Sequence, residues 1–425
     1  MTDLEFDQPV NRNEFIVEFE DYAYGGEGFG RLPDGRAVFV PLVGDGEVAR
    51  IRLVESKKNY ARGELIELIE VAKERIEPRC IHFGVCGGCH YQHLPYEKQL
   101  AVKENILKDQ LRRIGRIEDP PIKPIVPSPN PYHYRNHVQF HLDETGRLGY
   151  MQLLSNEIFP IEECHLPEDP INDLWPRLSF DALPGFNRIA LRTGVGEDLM
   201  MIIGSEDPSP IEFDTDLPIS VVYAGPGGEM VLAGEDYIIL NVLGQDFKVS
   251  VDSFFQVNTG VAEKMVEHVL KFIPQNTESI VLDAFCGVGL FSAFIAPRVG
   301  QVIGIESNPL VCEDFVVNLD KFDNVVLYEA EVKTVLPVLE TRPDVMLVDP
   351  PRAGLRGEVI DGINHLGPET LIYTSCDPAT LARDAKRLTK IAYSLESITP
   401  FDMFPQTSHI ESISIWRRSQ EPYRS

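Results

Sequence analysis

Residues 279–292 have the sequence SIVLDAFCGVGLFS, in which an apolar stretch leads into a glycine-containing turn and then a second apolar stretch. This order is typical of a buried strand, a tight turn and the first turn of a helix. From about residue 249 to residue 425, short apolar stretches alternate with segments of helical period. The alternation predicts an α/β domain over residues 249–425, with a mostly parallel, Rossmann-like sheet covered by helices on both faces.

The first two strands of this sheet end in residues suited to a nucleoside ligand. Asp283 ends the first strand, Gly287 and Gly289 follow in the turn, and Glu306 ends the second strand. Ligands of open α/β sheets bind at this edge, where glycine permits close approach and an acidic residue accepts hydrogen bonds from ribose. The turn lacks the spacing G-x-G-x-x-G, which favours S-adenosylmethionine over a nicotinamide cofactor.

The fourth and fifth strands end in candidate reactive residues. The sequence DPPR places Asp349 and Arg352 after the fourth strand, and Cys376 follows the fifth, immediately before a predicted helix. Because a helix dipole stabilises a thiolate at the helix start, we expect a lowered pKa for Cys376. Near the C-terminus, His409 and Glu411 precede a strand and are candidate acid–base groups, although the position of Glu411 alone favours a solvent-facing side chain.

Residues 14–70 have the pattern of five short strands separated by glycine-containing turns. Five strands in so short a segment predict a small OB-type β-barrel within an N-terminal domain, residues 1–75. Such barrels often bind single-stranded nucleic acid, although a barrel that serves only for packing has the same pattern. A β-rich central domain is expected over residues 76–248, including a helix at 96–117 that packs on the C-terminal domain.

Three cysteines, Cys80, Cys86 and Cys89, lie within ten positions of one another. The chain has seven cysteines, an odd number that argues against a disulfide framework and for metal binding or catalysis. The N-terminal sequence MTDLEFDQPV has no apolar segment, and no apolar run approaches the ~20 residues of a membrane span. We therefore expect a cytoplasmic protein without membrane contact.

The formal net charge of -27 argues against binding a phosphate backbone over the whole surface. Three segments are basic nevertheless: residues 50–62 carry five Lys/Arg against one acid, residues 98–116 six against two, and residues 383–390 four against one. If nucleic acid binds, these segments predict local contacts.

Several motifs together resemble the RNA uracil-C5-methyltransferases. They are DAFCGVGLF, FFQVN at 254–258, DPPRAGL at 349–355, TSCDPATLARD at 374–384 and HIES at 409–412. The N-terminal segment is similar to the TRAM RNA-binding domain of that family, so the resemblance covers nearly the whole chain. It implies S-adenosylmethionine-dependent methylation of uridine C5 in RNA, with 23S rRNA as the expected substrate and tRNA as an alternative.

The resemblance also implies roles for individual residues. Cys376 is expected to add to C6 of uracil, Glu411 to remove the C5 proton, and Arg352 and Arg135 to lie near the substrate. The expected cofactor-binding residues are Gln256, Phe285, Leu290, Glu306, Glu329 and Asp349.

The cysteine cluster matches the ligands of a 4Fe–4S cluster in the same family, with Cys164 as the fourth ligand. Four thiolates suit zinc as well as iron and sulfur, so zinc is the alternative occupant. We expect a structural or RNA-positioning role for this site. Two other functions are compatible with parts of the pattern: an RNA cytosine-C5-methyltransferase, which also uses thiol addition, and a non-catalytic RNA-binding module.

Overall fold

A computed structural model describes residues 13–180, 185–196, 198–207 and 217–419. Its strands form a closed barrel, a seven-stranded sheet, a two-stranded hairpin and a second seven-stranded sheet, in chain order. Eight α-helices are distributed between and around them in these residues. The predicted mixed α/β fold with an N-terminal barrel is confirmed. No helix within these ranges is both long and apolar enough to cross a membrane.

The N-terminal strands close into a barrel in the order β1-β2-β3-β5-β4. Their bounds are β1 Glu14–Tyr22, β2 Gly28–Arg31, β3 Ala37–Val40, β4 Val48–Ser56 and β5 Tyr60–Glu70. Alternate residues point inward, so that Val17 and Phe19 of β1 pack against Val38 and Val40 of β3 in one apolar core. The prediction of five short strands in a barrel is confirmed.

The central sheet has the order β12-β11-β10-β9-β6-β7-β8. Its strands are β6 His137–Leu142, β7 Leu148–Met151, β8 Ile158–Pro160, β9 Phe186–Thr193, β10 Leu199–Ser205, β11 Ser220–Gly225 and β12 Gly228–Ala233. A short helix, α2 Asp169–Leu174, packs Ile171 and Leu174 against Phe140 in the core of this sheet. The hairpin of β13 Tyr237–Val242 and β14 Gln245–Ser250 follows. Both residues of its turn, Leu243 and Gly244, have positive φ, as a two-residue hairpin requires.

The C-terminal sheet has the order β17-β16-β15-β18-β19-β21-β20. Its first five strands are mutually parallel, and β21 pairs antiparallel with both β19 and β20, so that β21 alone among the seven strands runs in the opposite direction; this confirms the predicted, mostly parallel sheet. The strands are β15 Asn276–Ala284, β16 Val299–Glu306, β17 Val325–Glu329, β18 Val345–Val348, β19 Thr370–Ser375, β20 Tyr393–Phe401 and β21 Glu411–Arg418. The helices are α3 Thr259–Val269, α4 Leu290–Ile295, α5 Pro309–Leu319, α6 Val332–Val335, α7 Gly357–Leu366 and α8 Pro378–Leu388.

Two separate apolar cores cover the two faces of this sheet. Val281 of β15 packs in the core that contains α3, α4 and α5, whereas its neighbour Leu282 packs in the core that contains α6, α7 and α8. Because successive strand residues point to opposite faces, a strand buried on both faces must be apolar throughout. The run Ile280–Ala284 is interrupted by one polar residue, Asp283, at the edge where ligands bind.

Helix α1 Tyr96–Arg113 joins the N-terminal half of the chain to the C-terminal sheet. Its Leu107 and Leu111 lie in the core under α6, α7 and α8. The helix ends at Arg113 rather than at residue 117, because Gly115 follows and Arg116 has a φ of 60°. On the same helix, the Lys103 ammonium is fully buried and lies 2.5 Å from Asp402, with a second hydrogen bond of 3.0 Å to the Phe404 carbonyl.

Part of the charge of the three basic segments is paired with acidic groups. In the barrel segment, Arg52 pairs with Glu14 and Glu64, and Arg62 pairs with Glu27. In the helix segment, Lys103 is buried rather than presented to solvent. In the third, Arg383 and Arg387 both pair with the buried Asp384. The local nucleic-acid contacts expected at these segments stay a prediction, and part of the charge that would make them is already paired within the protein.

Candidate active site

The carboxyl edge of the C-terminal sheet brings the predicted reactive residues together. Asp349 follows β18 directly, and Cys376 follows β19 directly. Ser375 and Ser412 are the last Cα partners of the antiparallel pair β19–β21. Cys376 and Glu411 therefore flank that final pair, each one residue beyond it.

Burial and two carboxylates raise the pKa of the Cys376 thiol to about 12. Desolvation is the largest cause and the charges of Glu411 and Asp349 add to it, while the nearby Arg352 guanidinium and a backbone hydrogen bond act in the opposite direction. The lowered thiol pKa expected from the helix start is wrong for the protein without bound ligands. The helix dipole stabilises the thiolate by less free energy than it costs to place a further negative charge in a buried acidic site.

The two carboxylates beside the thiol also have raised pKa values. Glu411 is buried, with 4% of its surface exposed, so the solvent-facing position favoured by its local sequence is wrong. Burial, followed by the charge of Asp349, raises the Glu411 pKa well above its usual range, while Arg352 opposes the shift. Burial and the charge of Asp283 raise the Asp349 pKa to about 7. His409 is half-buried, and burial together with Arg352 lowers its pKa to about 4, so it is a neutral imidazole near neutrality.

A second set of predicted residues surrounds the turn between β15 and α4. Phe285 has a φ of 66°, and its N–H donates to the Ile305 carbonyl at 2.9 Å. The Gly287 N–H donates to Glu306 Oε2 at 3.2 Å, which fixes the acid of β16 against the turn. A Cβ at Gly289 would lie 2.3 Å from Leu319, so only glycine fits there.

The remaining predicted cofactor residues have the following positions. Glu329 is the Cα partner of Glu306 across the parallel pair β16–β17, so both carboxylates stand at the same sheet edge. Leu290 is the first residue of α4 and is buried. Gln256 is buried in the connection between β14 and α3, where its carbonyl accepts from Asn136 Nδ2 at 3.0 Å.

Asp283 was expected at the ligand-binding edge but was not among the expected cofactor-binding residues. Ser292 Oγ donates to its Oδ2 at 2.6 Å, while its buried Oδ1 has no hydrogen-bond partner. Burial raises the Asp283 pKa to about 7. A buried acceptor without a donor at the ligand-binding edge is suited to a polar ligand group. Its position at the end of the first strand, just before the glycine turn, was the available signal.

The four cysteines predicted to bind a metal surround one cavity. Cys80, Cys86, Cys89 and Cys164 line a space of about 350 Å³, and none of them is in a disulfide. Burial raises the pKa of the Cys89 thiol to about 12 and that of Cys164 to about 11. Within the described part of the chain, no set of three Cys, His or acidic residues is arranged to hold a single metal ion. The four thiols therefore line a cavity and do not converge on a single point.

Arg135 lies at this cavity, although it was predicted beside the substrate. Its guanidinium lines the cavity and stands over the rings of Tyr134 and Phe404, 5.7 and 5.9 Å from the ring centres. It is not among the main charges that act on Cys376, which are those of Glu411, Asp349 and Arg352. Its expected position near the substrate stays a prediction; its charge also acts on His409, two residues before Glu411.

Hydrogen bonds join the cysteine segment to the loop that precedes Glu411. The backbone N–H groups of His90 and Tyr91 both donate to the Gln406 carbonyl, at 2.8 and 3.1 Å. The Ser408 N–H in turn lies 3.3 Å from His90 Nδ1. Since Cys89 is adjacent to His90, the cysteine cavity and the Glu411 strand are connected through a few bonded residues.

Two family models match the chain. The model described as tRNA (Uracil-5-)-methyltransferase matches residues 214–331 and 338–419, and the TRAM domain model matches residues 11–66. The first match contains Cys376, Glu411 and Asp349, and the second contains most of the barrel. Both agree with the resemblance found in the motifs.

Full-length relatives and a solved structure agree with these matches. An uncharacterised RNA methyltransferase of Thermosynechococcus vestitus is 33% identical, covering 94% of this chain and 97% of the relative. Another, of Aquifex aeolicus, is 33% identical over 93% of this chain and 96% of the relative. The structure of Pyrococcus abyssi tRNA (uracil-54, C5)-methyltransferase in complex with S-adenosyl-L-homocysteine superposes with a TM-score of 0.75 at 24% identity. It covers 94% of this chain and 99% of that one, which shows a shared fold.

The acidic groups around Cys376 predict the direction in which the reactivity of this thiol changes when one of them is removed. Glu411→Gln removes the carboxylate whose charge raises the Cys376 pKa, so at a pH where Glu411 is ionised the Cys376 pKa falls and more thiolate is present. Because the Glu411 pKa is itself raised, alkylation is followed over a series of alkaline pH values; once Glu411 is ionised in the wild type, we expect iodoacetamide to alkylate Cys376 roughly tenfold faster in the variant, because a nearby like charge shifts a pKa by about one unit or more. Peptide-resolved mass spectrometry measures each thiol separately.

The opposite substitution and an internal control accompany this measurement. Arg352→Gln removes the one opposing charge and should slow alkylation of Cys376. Cys312, on which the charges of Glu306 and Glu329 act, should react at an unchanged rate in both variants. An unchanged or slower rate for Cys376 in Glu411→Gln would show that the carboxylate does not control the thiol.

Proposed function

Since the chain belongs to the RNA uracil-5-methyltransferase family and carries its TRAM domain, we propose that it methylates C5 of a uridine in RNA through covalent catalysis by Cys376 and Glu411. The observation that carries this mechanism is the placement of both residues at the end of the β19–β21 pair, with Asp349 and Arg352 beside them. A nucleophile and a base beside the same strand pair match the two tasks that the reaction sets.

The chemistry requires both groups because uracil C5 is a weak nucleophile. After loss of the thiol proton, Cys376 Sγ bonds to C6, the C5–C6 double bond opens, and negative charge moves into the ring. C5 then bonds to the transferred methyl group. Glu411 removes the C5 proton, the double bond reforms, and the C6–S bond breaks to return the thiolate and leave 5-methyluridine. Burial makes Glu411 a stronger base than an exposed glutamate, as this step requires.

S-adenosylmethionine supplies the electrophilic methyl group on its sulfonium centre. The residues proposed to bind it are those around the turn after β15: Phe285, Leu290, Glu306 and Glu329, together with Asp349 and Gln256. The unpartnered Asp283 Oδ1 supports an additional polar contact there. The complex of the Pyrococcus abyssi enzyme with S-adenosyl-L-homocysteine supports the same ligand class.

The substrate is proposed to be 23S rRNA, on the resemblance of the four-cysteine set to that of ribosomal members of the family. The second candidate is tRNA, which the matching family model and the Pyrococcus abyssi enzyme both name. In either RNA the target uridine must leave the base stack, because C5 and C6 have to reach Cys376 and Glu411. The seven free cysteines support a reducing, cytoplasmic location.

The four thiols around the cavity are proposed to hold a 4Fe–4S cluster, with zinc as the alternative occupant. Four cysteine thiolates are the usual ligands of such a cluster, and the cavity of about 350 Å³ offers more room than one tetrahedral ion uses. When bound, this group would tie the segment at 80–89 to Cys164. Its proposed role is structural, which the hydrogen bonds between the cysteine segment and the loop that precedes Glu411 support.

The roles of the two catalytic residues predict different behaviour for two variants. Glu411→Gln keeps thiol addition but blocks proton removal, so we expect a covalent protein–RNA adduct that survives denaturing electrophoresis. We also expect turnover to fall by roughly 10²–10⁴-fold, the usual contribution of a general base. Cys376→Ala should give neither turnover nor adduct.

The surface glutamate Glu396, which pairs with Arg417, provides a matched control for this test. Glu396→Gln should retain wild-type turnover and accumulate no adduct. Equal turnover in Glu411→Gln and the wild type would reject Glu411 as the base, and turnover in Cys376→Ala would reject covalent catalysis.

Metal analysis of protein purified without oxygen tests the proposed cluster. We expect about four iron atoms and four sulfides per chain, with visible absorption from iron–sulfur charge transfer. Cys89→Ser should lower the iron content, whereas Cys312→Ser, outside the cavity, should not. One zinc and no iron would replace the cluster by a zinc site, and the absence of both would reject metal binding by these thiols.

A further inference from the structure

The turn between β1 and β2 leaves the barrel and reaches the active site. Tyr24 in this turn donates a hydrogen bond from its hydroxyl to Asp377 Oδ2. Asp377 is the residue after Cys376, and its other oxygen accepts from the Thr380 N–H at 2.7 Å, which caps α8. Tyr24, in a turn of the barrel, is therefore hydrogen-bonded to the residue next to the nucleophile, and 353 positions separate Tyr24 from Asp377 in sequence.

The same turn is packed tightly against the loop that precedes Glu411. Within the turn, the Ala23 N–H donates to the Glu27 backbone carbonyl at 2.7 Å, and the Gly26 N–H donates to the Ala23 backbone carbonyl at 3.1 Å. Gly26 has a φ of 90°, and a Cβ there would stand 2.9 Å from Ser408 Cβ and 3.2 Å from His90 Cβ. The position of Tyr24 is thus set by close contact on both sides.

The ring of Tyr24 remains open to solvent despite these contacts. Tyr24 is 42% exposed. A Cβ added to the adjacent Gly25 would meet no other atom within 4 Å, so there is open space beside the ring. The charges of Arg352 and Cys376 both act on the phenol, which places the ring at the rim of the reactive site. Partial burial and the contact with Asp377 raise the Tyr24 pKa well above its usual range, so the hydroxyl stays a donor.

We propose that Tyr24 is a substrate-positioning residue whose exposed ring stacks on the RNA base next to the target uridine. The proposal rests on the proposed function, in which a uridine is displaced from its stack. Displacement leaves the neighbouring base with one uncovered face, and an aromatic ring covers such a face whatever the base. The close packing of the turn on Ser408 and His90 holds the ring at this position, so the barrel contributes a wall of the active site as well as a distant RNA contact.

A purely structural role is the competing explanation. In that case the Tyr24–Asp377 hydrogen bond would serve only to fasten the barrel to the C-terminal domain. The two explanations differ in which part of the side chain matters, since stacking needs the ring and fastening needs the hydroxyl.

Steady-state kinetics of Tyr24→Leu and Tyr24→Phe separate these roles, with the RNA that the wild type methylates as substrate. Loss of the ring in Tyr24→Leu should raise KM for RNA roughly 5- to 150-fold, the range reported by substitution of stacking aromatics. Tyr24→Phe keeps the ring and should restore a KM close to that of the wild type. KM for S-adenosylmethionine and the thermal midpoint should not change in either variant. Tyr237→Leu, in the β13–β14 hairpin, is the matched control and should behave as the wild type.

Three outcomes would overturn the proposal: equal effects of Phe and Leu, no effect of Leu, or a parallel change in KM for S-adenosylmethionine or in the thermal midpoint. Binding of a fluorescently labelled single-stranded deca-uridylate, measured by anisotropy, gives a second measure that needs no turnover. Its affinity should fall in Tyr24→Leu and recover in Tyr24→Phe, and equal losses would also overturn the proposal. Because the wild type is assayed first, its failure to methylate RNA would reject the proposed function separately.

Discussion

Three acidic groups share one buried edge of the C-terminal sheet, and they cannot all carry negative charge together. Burial and mutual repulsion raise the pKa values of Cys376, Glu411 and Asp349, with Arg352 as the main opposing charge. Cys376 is therefore a thiol near neutrality in the protein without bound ligands. A cation bound beside Asp349 would lower the thiol pKa, so the site would activate Cys376 when its cationic methyl donor is present.

Helix α1, the cysteine segment and the barrel all contact the loop that leads to Glu411. Helix α1 contributes the buried Lys103, which bonds Asp402 and the Phe404 carbonyl. The cysteine segment contributes His90, and the barrel contributes the turn around Gly26, both packed on Ser408. Removing one partner from a buried ion pair such as Lys103–Asp402 costs about 3–5 kcal/mol, so the loop is held firmly. The reactive geometry thus depends on all three parts being docked.

Local pattern was sufficient to predict the elements and the residues at their ends. The alternation of strands and helices after residue 249 indicated the parallel sheet, and the strand ends located Asp349 and Cys376. The local pattern does not show which side chains contact one another in the folded chain. The thiol pKa, the burial of Glu411 and the position of Arg135 against Phe404 all depend on residues far apart in sequence. The ion pairs of the basic segments also depend in part on distant residues, such as Glu64 for Arg52 and Asp402 for Lys103.

Transfer of a labelled methyl group from S-adenosylmethionine to unmodified RNA, followed by nucleoside analysis, tests the central claim most directly. Separated ribosomal RNA and tRNA are offered to the wild type and to Cys376→Ala. The account predicts 5-methyluridine from the wild type, in large-subunit ribosomal RNA, and no product from the variant. The same nucleoside in tRNA would retain the chemistry and change the substrate. Label at another base or another atom, or no label in either RNA, would contradict the account.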